Sequence, residues 1–146
     1  MFSQTVEYAL RAMVFLGQNT EKPQATESIA EVTKVPPAYL SKVLQAMAKK
    51  GLVRSQRGLY GGFRLAKSPD EVSILDIVNS VDPIVRIKTC PLDLKSHGTH
   101  LCPLHRRMDN AMGEVERALS ESTLAEVLSE PTNSVPLSEL KNDSQG

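Results

Sequence analysis

Two adjacent prolines, Pro36 and Pro37, followed by apolar residues at Leu40, Val43, Leu44 and Met47, set the tightest limit on how this chain can fold. Proline has no amide hydrogen and its ring clashes with the preceding turn, so a helix cannot run through this point. A helix can begin there, however, and the i, i+3, i+4, i+7 spacing predicts one with a single buried face, stopping at Gly51. Just upstream, Thr26 is expected to cap a short helix with Glu27 in its first turn and Ile29, Ala30 and Val32 turned inward. It should end near Thr33, leaving Lys34 and Val35 as a tight connection. Residues 2 to 17 form a first helix through Val6, Ala9, Leu10, Met13, Val14 and Leu16, with Ser3 as cap and Gly17 as stop. Downstream, Leu52 to Gln56 and Phe63 to Ala66 are strand candidates around Arg57–Gly62, whose three glycines permit a hairpin loop.

Helix, short helix, turn, helix and hairpin is the order of a winged helix-turn-helix, giving a mainly α fold whose small β-hairpin is the wing. Ser73 and Asp76 open another helix through Ile74, Leu75, Ile77, Val78 and Val81, closed by Pro83. Residues 84 to 103 read as a loop. A longer helix, Leu104 to Ser120, follows with Met108, Ala111, Met112, Val115 and Leu119 on one stripe. Ser122 or Thr123 then caps a short Leu124 to Leu128 helix. With 146 residues there is room for one domain and an appended arm, not for two large cores. No apolar run approaches the roughly 20 residues of a membrane span, and no signal segment opens the chain, so a cytoplasmic location is expected.

Lys+Arg and Asp+Glu are 17 each, a formal net charge of zero that would by itself argue against a polyanion partner. The distribution argues the opposite. Lys34, Lys42, Lys49, Lys50, Arg54, Arg57, Arg64 and Lys67 are eight basic residues between 34 and 67, where no Asp or Glu occurs. Phosphate neutralisation supplies much of the affinity for DNA, and this segment coincides with the recognition helix and wing. A solvated basic face is the other reading of such a run. Pro37, Ala38, Tyr39, Ser41, Lys42 and Gln45 would face the major groove. Ser41 and Gln45 suit base edges, and Lys42 suits phosphate or guanine. Tyr39 can pack or bond a phosphate. Arg57 at the wing turn can enter the minor groove or touch a phosphate, with Gly61 and Arg64 beside it.

Both cysteines and all three histidines, Cys90, His97, His100, Cys102 and His105, lie within positions 90 to 105. Clustered thiols and imidazoles suit zinc or iron, although this spacing is not a standard structural zinc pattern. Buried thiols or a redox pair are the other readings. Nucleophilic catalysis is not expected: no phosphate-binding loop, dinucleotide motif or evident oxyanion hole accompanies the cluster.

Four segments carry a family resemblance: Val35–Gln45 (VPPAYLSKVLQ), Gly51–Val53, Arg57–Ala66 (RGLYGGFRLA) and Ile74–Ile77 (ILDI). Together they resemble the IscR/NsrR-type family of bacterial winged-helix regulators, over a span from the first helix to about Leu128. The resemblance implies a homodimeric transcriptional regulator, repressor or activator, binding double-stranded DNA at an imperfect palindrome. It also implies that the long helix crosses its partner and that the preceding loop often holds an iron–sulfur cluster. Where cluster-binding members show Cys-x5-Cys-x5-Cys, this chain has Cys90, Ser96 and Cys102. The family's fourth ligand corresponds to His105 or Glu7, so the implied mixed-ligand [2Fe-2S] site is Cys90, Cys102, His105 and Glu7, with Glu7 supplied by either subunit and His97 in reserve. Some relatives have no cluster and switch by cysteine oxidation or partner binding. Ser96 leaves that route open here, and zinc with it. The expected organisation is thus 1–83 for DNA binding, 84–103 as a Cys/His sensory loop, 104–130 for dimerisation and a terminal helix, and 131–146 as a flexible tail.

Overall fold

The structure is a computed structural model that describes residues 2–97 and 100–138, with the side chain of His97 outside that description. Its helices are α1 (Gln4–Gln18), α2 (Thr26–Thr33), α3 (Pro37–Lys49), α4 (Ile74–Val81), α5 (Pro103–Ser120) and α6 (Leu124–Ser129). A two-stranded antiparallel hairpin, β1 (Val53–Gln56) with β2 (Gly62–Leu65), lies between α3 and α4. The winged helix-turn-helix order expected from the sequence is the order observed.

Helix α1 is the hub. The Ser3 hydroxyl accepts the Val6 N–H at 3.3 Å, starting the helix one turn before the buried run Ala9, Ala12, Met13 and Leu16. Gly17 does not stop it. The helix continues to Gln18 and ends where Asn19 folds back, its Nδ2 donating to the Phe15 carbonyl at 2.8 Å. Gly17 serves packing instead, because a Cβ there would lie 2.6 Å from Leu128 Cδ1 of α6.

Two expectations for α2 need correction. The cap position is Ala25, so Thr26 is the first helical residue and makes no capping bond. The buried face runs through Ile29, Ala30 and Thr33, whose hydroxyl donates to the Ile29 carbonyl at 2.6 Å. On a 100° helical step Val32 falls on the far side of Ile29 from that face, and it is 43% exposed. Lys34 takes a left-handed φ of 60°, and α3 then starts at Pro37 and buries Leu40, Val43, Leu44 and Met47 against α1. Gly51, at φ 75°, makes the turn into β1.

The Ser73 capping box forms as read: Asp76 N–H donates to Ser73 Oγ and Ser73 N–H to Asp76 Oδ2, both at 3.0 Å. Thr123 rather than Ser122 caps α6, accepting the Glu126 N–H at 3.1 Å. The Ile74 N–H bonds to the Ser122 carbonyl, and the Leu124 N–H to the Val72 carbonyl, each at 2.8 Å. These bonds tie α4 to α6 beside α1. Of the tail expected over 131–146, Leu137 packs on the core and the Pro136 carbonyl accepts Gln18 Nε2 at 2.7 Å. Residues 139–146 lie outside the described residues.

Helix α5 differs from the others in having no buried residue. A polar clasp holds it: Arg86 donates from Nε and Nη2 to the two carboxylate oxygens of Asp109, at 2.7 and 2.8 Å, and from Nη1 to Glu116 at 3.0 Å. The Ile87 N–H adds a bond to Asp109 at 2.9 Å.

Candidate nucleic-acid interface and thiol loop

The side of α3 opposite the core presents Pro37, Ala38, Tyr39, Lys42 and Gln45 to solvent, with Ser41 half-buried between them. These are the residues that the apolar spacing leaves outward. Tyr39 packs in part, its ring 6.2 Å from that of Tyr8 and tilted by 54°, while remaining 58% exposed.

The wing is braced at its base. Phe63 and Gln24 exchange backbone hydrogen bonds at 2.8 Å in each direction, so the α1–α2 linker pairs with β2. Gly62 makes that approach possible: a Cβ would lie 2.2 Å from the Gln24 carbonyl oxygen, and its φ is 154°. Gly61 turns its Cα toward the Gln56 carbonyl, where a Cβ would stand at 2.1 Å. Arg64 donates from Nη2 to the Thr20 carbonyl at 3.0 Å, and Arg57 is exposed at the loop. At the apex Leu59 and Tyr60 are 90% and 86% exposed. The sequence reading passed over both, although their place between Gly58 and Gly61 was the available signal.

Of the eight basic residues in 34–67, seven are exposed and Arg64 is half-buried. Among the described residues the ion pairs are Arg11–Glu7, Arg86–Asp109 and Arg86–Glu116, none of which involves this segment. Among the described residues this basic segment is thus uncompensated by any carboxylate ion pair.

In the thiol loop, Cys102 is the residue that precedes the first turn of α5, and its Sγ lies 3.5 Å from Nδ1 of His105. Both side chains are half-buried, as is Cys90, whose carbonyl accepts the Asp93 N–H at 2.9 Å. Ser96 is exposed within a single 3-10 turn, Lys95–His97. The side chain of His97 falls outside the described residues. Glu7 sits in the first turn of α1 and pairs with Arg11 Nε at 3.0 Å. Arg11 also donates to the Thr33 carbonyl at 3.2 Å, at the helix-turn-helix turn, and lies over the Tyr8 ring. Among the described residues no three of His, Cys, Asp and Glu gather as a metal site. Among the described residues one chain therefore joins Cys102 to His105 and adds no third donor to the pair.

Beside this loop, the hydrogen bond from Arg86 holds the Asp109 carboxyl below its ordinary range, with the Ile87 N–H adding to the effect. The same bonds to Asp109 and Glu116 raise Arg86. Both shifts favour the charged forms of Arg86 and Asp109.

A mainly helical core with a helix-turn-helix, a braced wing and an uncompensated basic face defines a winged-helix DNA-binding protein. The profile of the Rrf2 family, described as an iron-dependent transcriptional regulator, matches residues 2–130, and the chain belongs to this family. The HTH-type transcriptional regulator NsrR of Geobacillus kaustophilus (strain HTA426) is 32% identical over 128 residues, covering 84% of this chain and 85% of that protein. Among solved structures, T. potens IscR matches with a TM-score of 0.73 at 26% identity, over 88% of this chain and 85% of its own. CymR (YrzC), described as the global cysteine regulator of B. subtilis, matches with a TM-score of 0.74 at 25% identity, over 90% and 98%. This chain is a DNA-binding transcriptional regulator and not an enzyme. No helix among the described residues is long and apolar enough to cross a membrane.

Proposed function

We propose that the protein is a cytoplasmic, homodimeric regulator that reads an imperfect palindrome with two copies of α3 and the wing, and whose DNA affinity follows the chemical state of the 84–103 loop. The observation that carries this reading is the Cys102–His105 pair at the foot of α5. A thiol and an imidazole 3.5 Å apart stand where the loop becomes the helix, so any change of bonding at Cys102 acts directly on the α5 start. Dimerisation is supported by the stripe on α5, where Met108, Ala111, Met112 and Val115 line an apolar groove of about 520 Å³ with Phe2 and Ile84. Two recognition helices about one DNA turn apart respond together to a small change of angle between subunits. Pro37, Ala38, Tyr39, Ser41, Lys42, Gln45, Arg57, Gly61 and Arg64 form the proposed DNA surface.

The donor types in Cys90, Cys102, His105 and Glu7 fit a [2Fe-2S] cluster, and the family description names iron. Their arrangement within one chain does not, since among the described residues Cys102 and His105 adjoin and no third donor joins them. A cluster would need Cys90 brought to that pair, with Glu7 supplied by either subunit. Ser96 at the middle position and the isolated thiol–imidazole pair favour a second reading, in which oxidation of the thiols, zinc or a partner protein provides the signal.

Anaerobic purification followed by metal analysis, a visible spectrum and DNA-binding assays tests the scheme. Iron and visible absorbance lost in both Cys90→Ala and Cys102→Ala, with a matching change in DNA affinity, is the result expected of a cluster. An iron-free protein whose affinity changes on thiol oxidation replaces it with the second reading. Identical DNA affinity in Cys102→Ala and wild type under all of these treatments overturns the loop as sensor.

A further inference from the structure

We propose that Arg54 and Arg64 form a clamp for one backbone phosphate of duplex DNA on the outer face of the wing, a contact that rests on the DNA-binding reading and brings Arg54 into the interface. The hairpin register sets the two arginines directly opposite each other. Directly opposed residues project from the same face of an antiparallel pair with their Cβ atoms roughly 5 Å apart. The flanking pairs identify that face. Val53 is buried and its partner Leu65 packs on the core, as does Phe63, the partner of Ser55. Alternation then turns Arg54 and Arg64 outward.

Like charges directly opposed weaken a hairpin, and each strand here is only four residues long. Among the described residues neither arginine forms an ion pair with a carboxylate. The bond from Arg64 Nη2 to the Thr20 carbonyl steadies one guanidinium and leaves its other donors unused by it. Between the arginines and Lys67 lies a recess of about 320 Å³, also lined by Thr20 and Ser68. The Ser68 hydroxyl is engaged with Asp70, so the donors facing an incoming anion are Arg54, Arg64 and Lys67. A tetrahedral oxyanion suits such a set, because a guanidinium bonds two phosphate oxygens at once. The recess shares its hairpin with Arg57 and belongs to the uncompensated 34–67 segment, which makes a DNA phosphate its occupant. On this account the repulsion built into the free wing is relieved when the backbone arrives.

A backbone contact carries no base information, so the test uses a short duplex of arbitrary sequence and measures affinity as a function of salt. Losing one phosphate contact lowers the slope of log affinity against log salt by about 0.9, hence by roughly 1.8 for the Arg54→Gln/Arg64→Gln double variant in both subunits of a dimer, with Arg54→Gln alone giving part of that fall. Arg54→Lys should keep the wild-type slope. Arg54→Gln should also melt at a higher temperature than wild type when free of DNA, which separates lost binding from lost folding. Arg64→Gln should show the same fall in slope with a lower melting temperature, since it also gives up Thr20. An unchanged slope in Arg54→Gln overturns the clamp. The clamp is equally overturned if inorganic phosphate alone stabilises wild type but not Arg54→Gln while the DNA slopes coincide. Wild-type protein without salt-dependent DNA binding would instead overturn the DNA-binding reading itself.

Discussion

The guanidinium of Arg86 lies against Gly113 of α5, where an added Cβ would stand 2.9 Å from Nη1 and 3.0 Å from Cζ. Glycine inside a helix costs about 1 kcal/mol relative to alanine, so its presence needs a packing reason, and this contact provides one. Gly113→Ala is expected to push Arg86 off Asp109 and Glu116 and to lower the melting temperature by a few degrees despite the better helix former. A thermal melt decides it; a higher melting temperature would show that Arg86 moves aside freely.

The clasp also has a pH signature. Asp109 sits below its ordinary value of 3.8 because Arg86 hydrogen-bonds its charged form. A carboxyl whose value is lower in the folded than in the unfolded state adds stability that is complete above its ordinary value and disappears as pH falls through the lower folded one. Wild type should therefore lose melting temperature more steeply than Asp109→Asn below about pH 4. Parallel profiles would show that this pair does not influence folding.

Gly62→Ala tests the wing's attachment. Its Cβ would collide with backbone, the Gln24 carbonyl at 2.2 Å, which cannot rotate away as a side chain can. The substitution is expected to cost roughly 2 kcal/mol or more in denaturant unfolding and to expose the wing loop to proteolysis. Gly58→Ala meets no atom within 4 Å and is the control, strained only by its φ of 118°.

On α3, affinity and selectivity should separate. Gln45→Ala and Ser41→Ala are expected to relax sequence choice by about 1–3 kcal/mol for each base-edge interaction removed, whereas Lys42→Ala weakens all sequences alike and lowers the salt slope by about 1 per subunit. Selection from a random duplex library, followed by affinity measurements on matched and altered sites, checks both. Equal selectivity in Gln45→Ala and wild type would remove Gln45 from base reading.

What the chain discloses in advance follows from the range of the interaction. Pro36 and Pro37, the Leu40 to Met47 spacing and the Ser73–Asp76 box act within a turn or two, and the structure has each in its expected place. The charge asymmetry of 34–67 was equally readable because its eight basic residues fall in one continuous segment. Gly17 was misread as a stop because its partner, Leu128, comes from a distant helix. Arg86 drew no attention for the same reason: Asp109 and Glu116 lie 23 and 30 positions away. Val32 is apolar but lies off the buried arc, a distinction that an eight-residue helix offers too few turns to show. In the thiol loop the Cys102–His105 contact follows from helical spacing, while the position of Cys90 depends on a loop path that no periodicity encodes.

The pairing of Phe63 with Gln24 also governs the heat of DNA association. A wing held by backbone bonds at both groups has lost its conformational freedom during folding, before any duplex is met. Calorimetry should then return a heat-capacity change sized to the contact area alone, without the excess that marks a segment ordering on its target. The wing is thus preorganised, its base already paired with the α1–α2 linker.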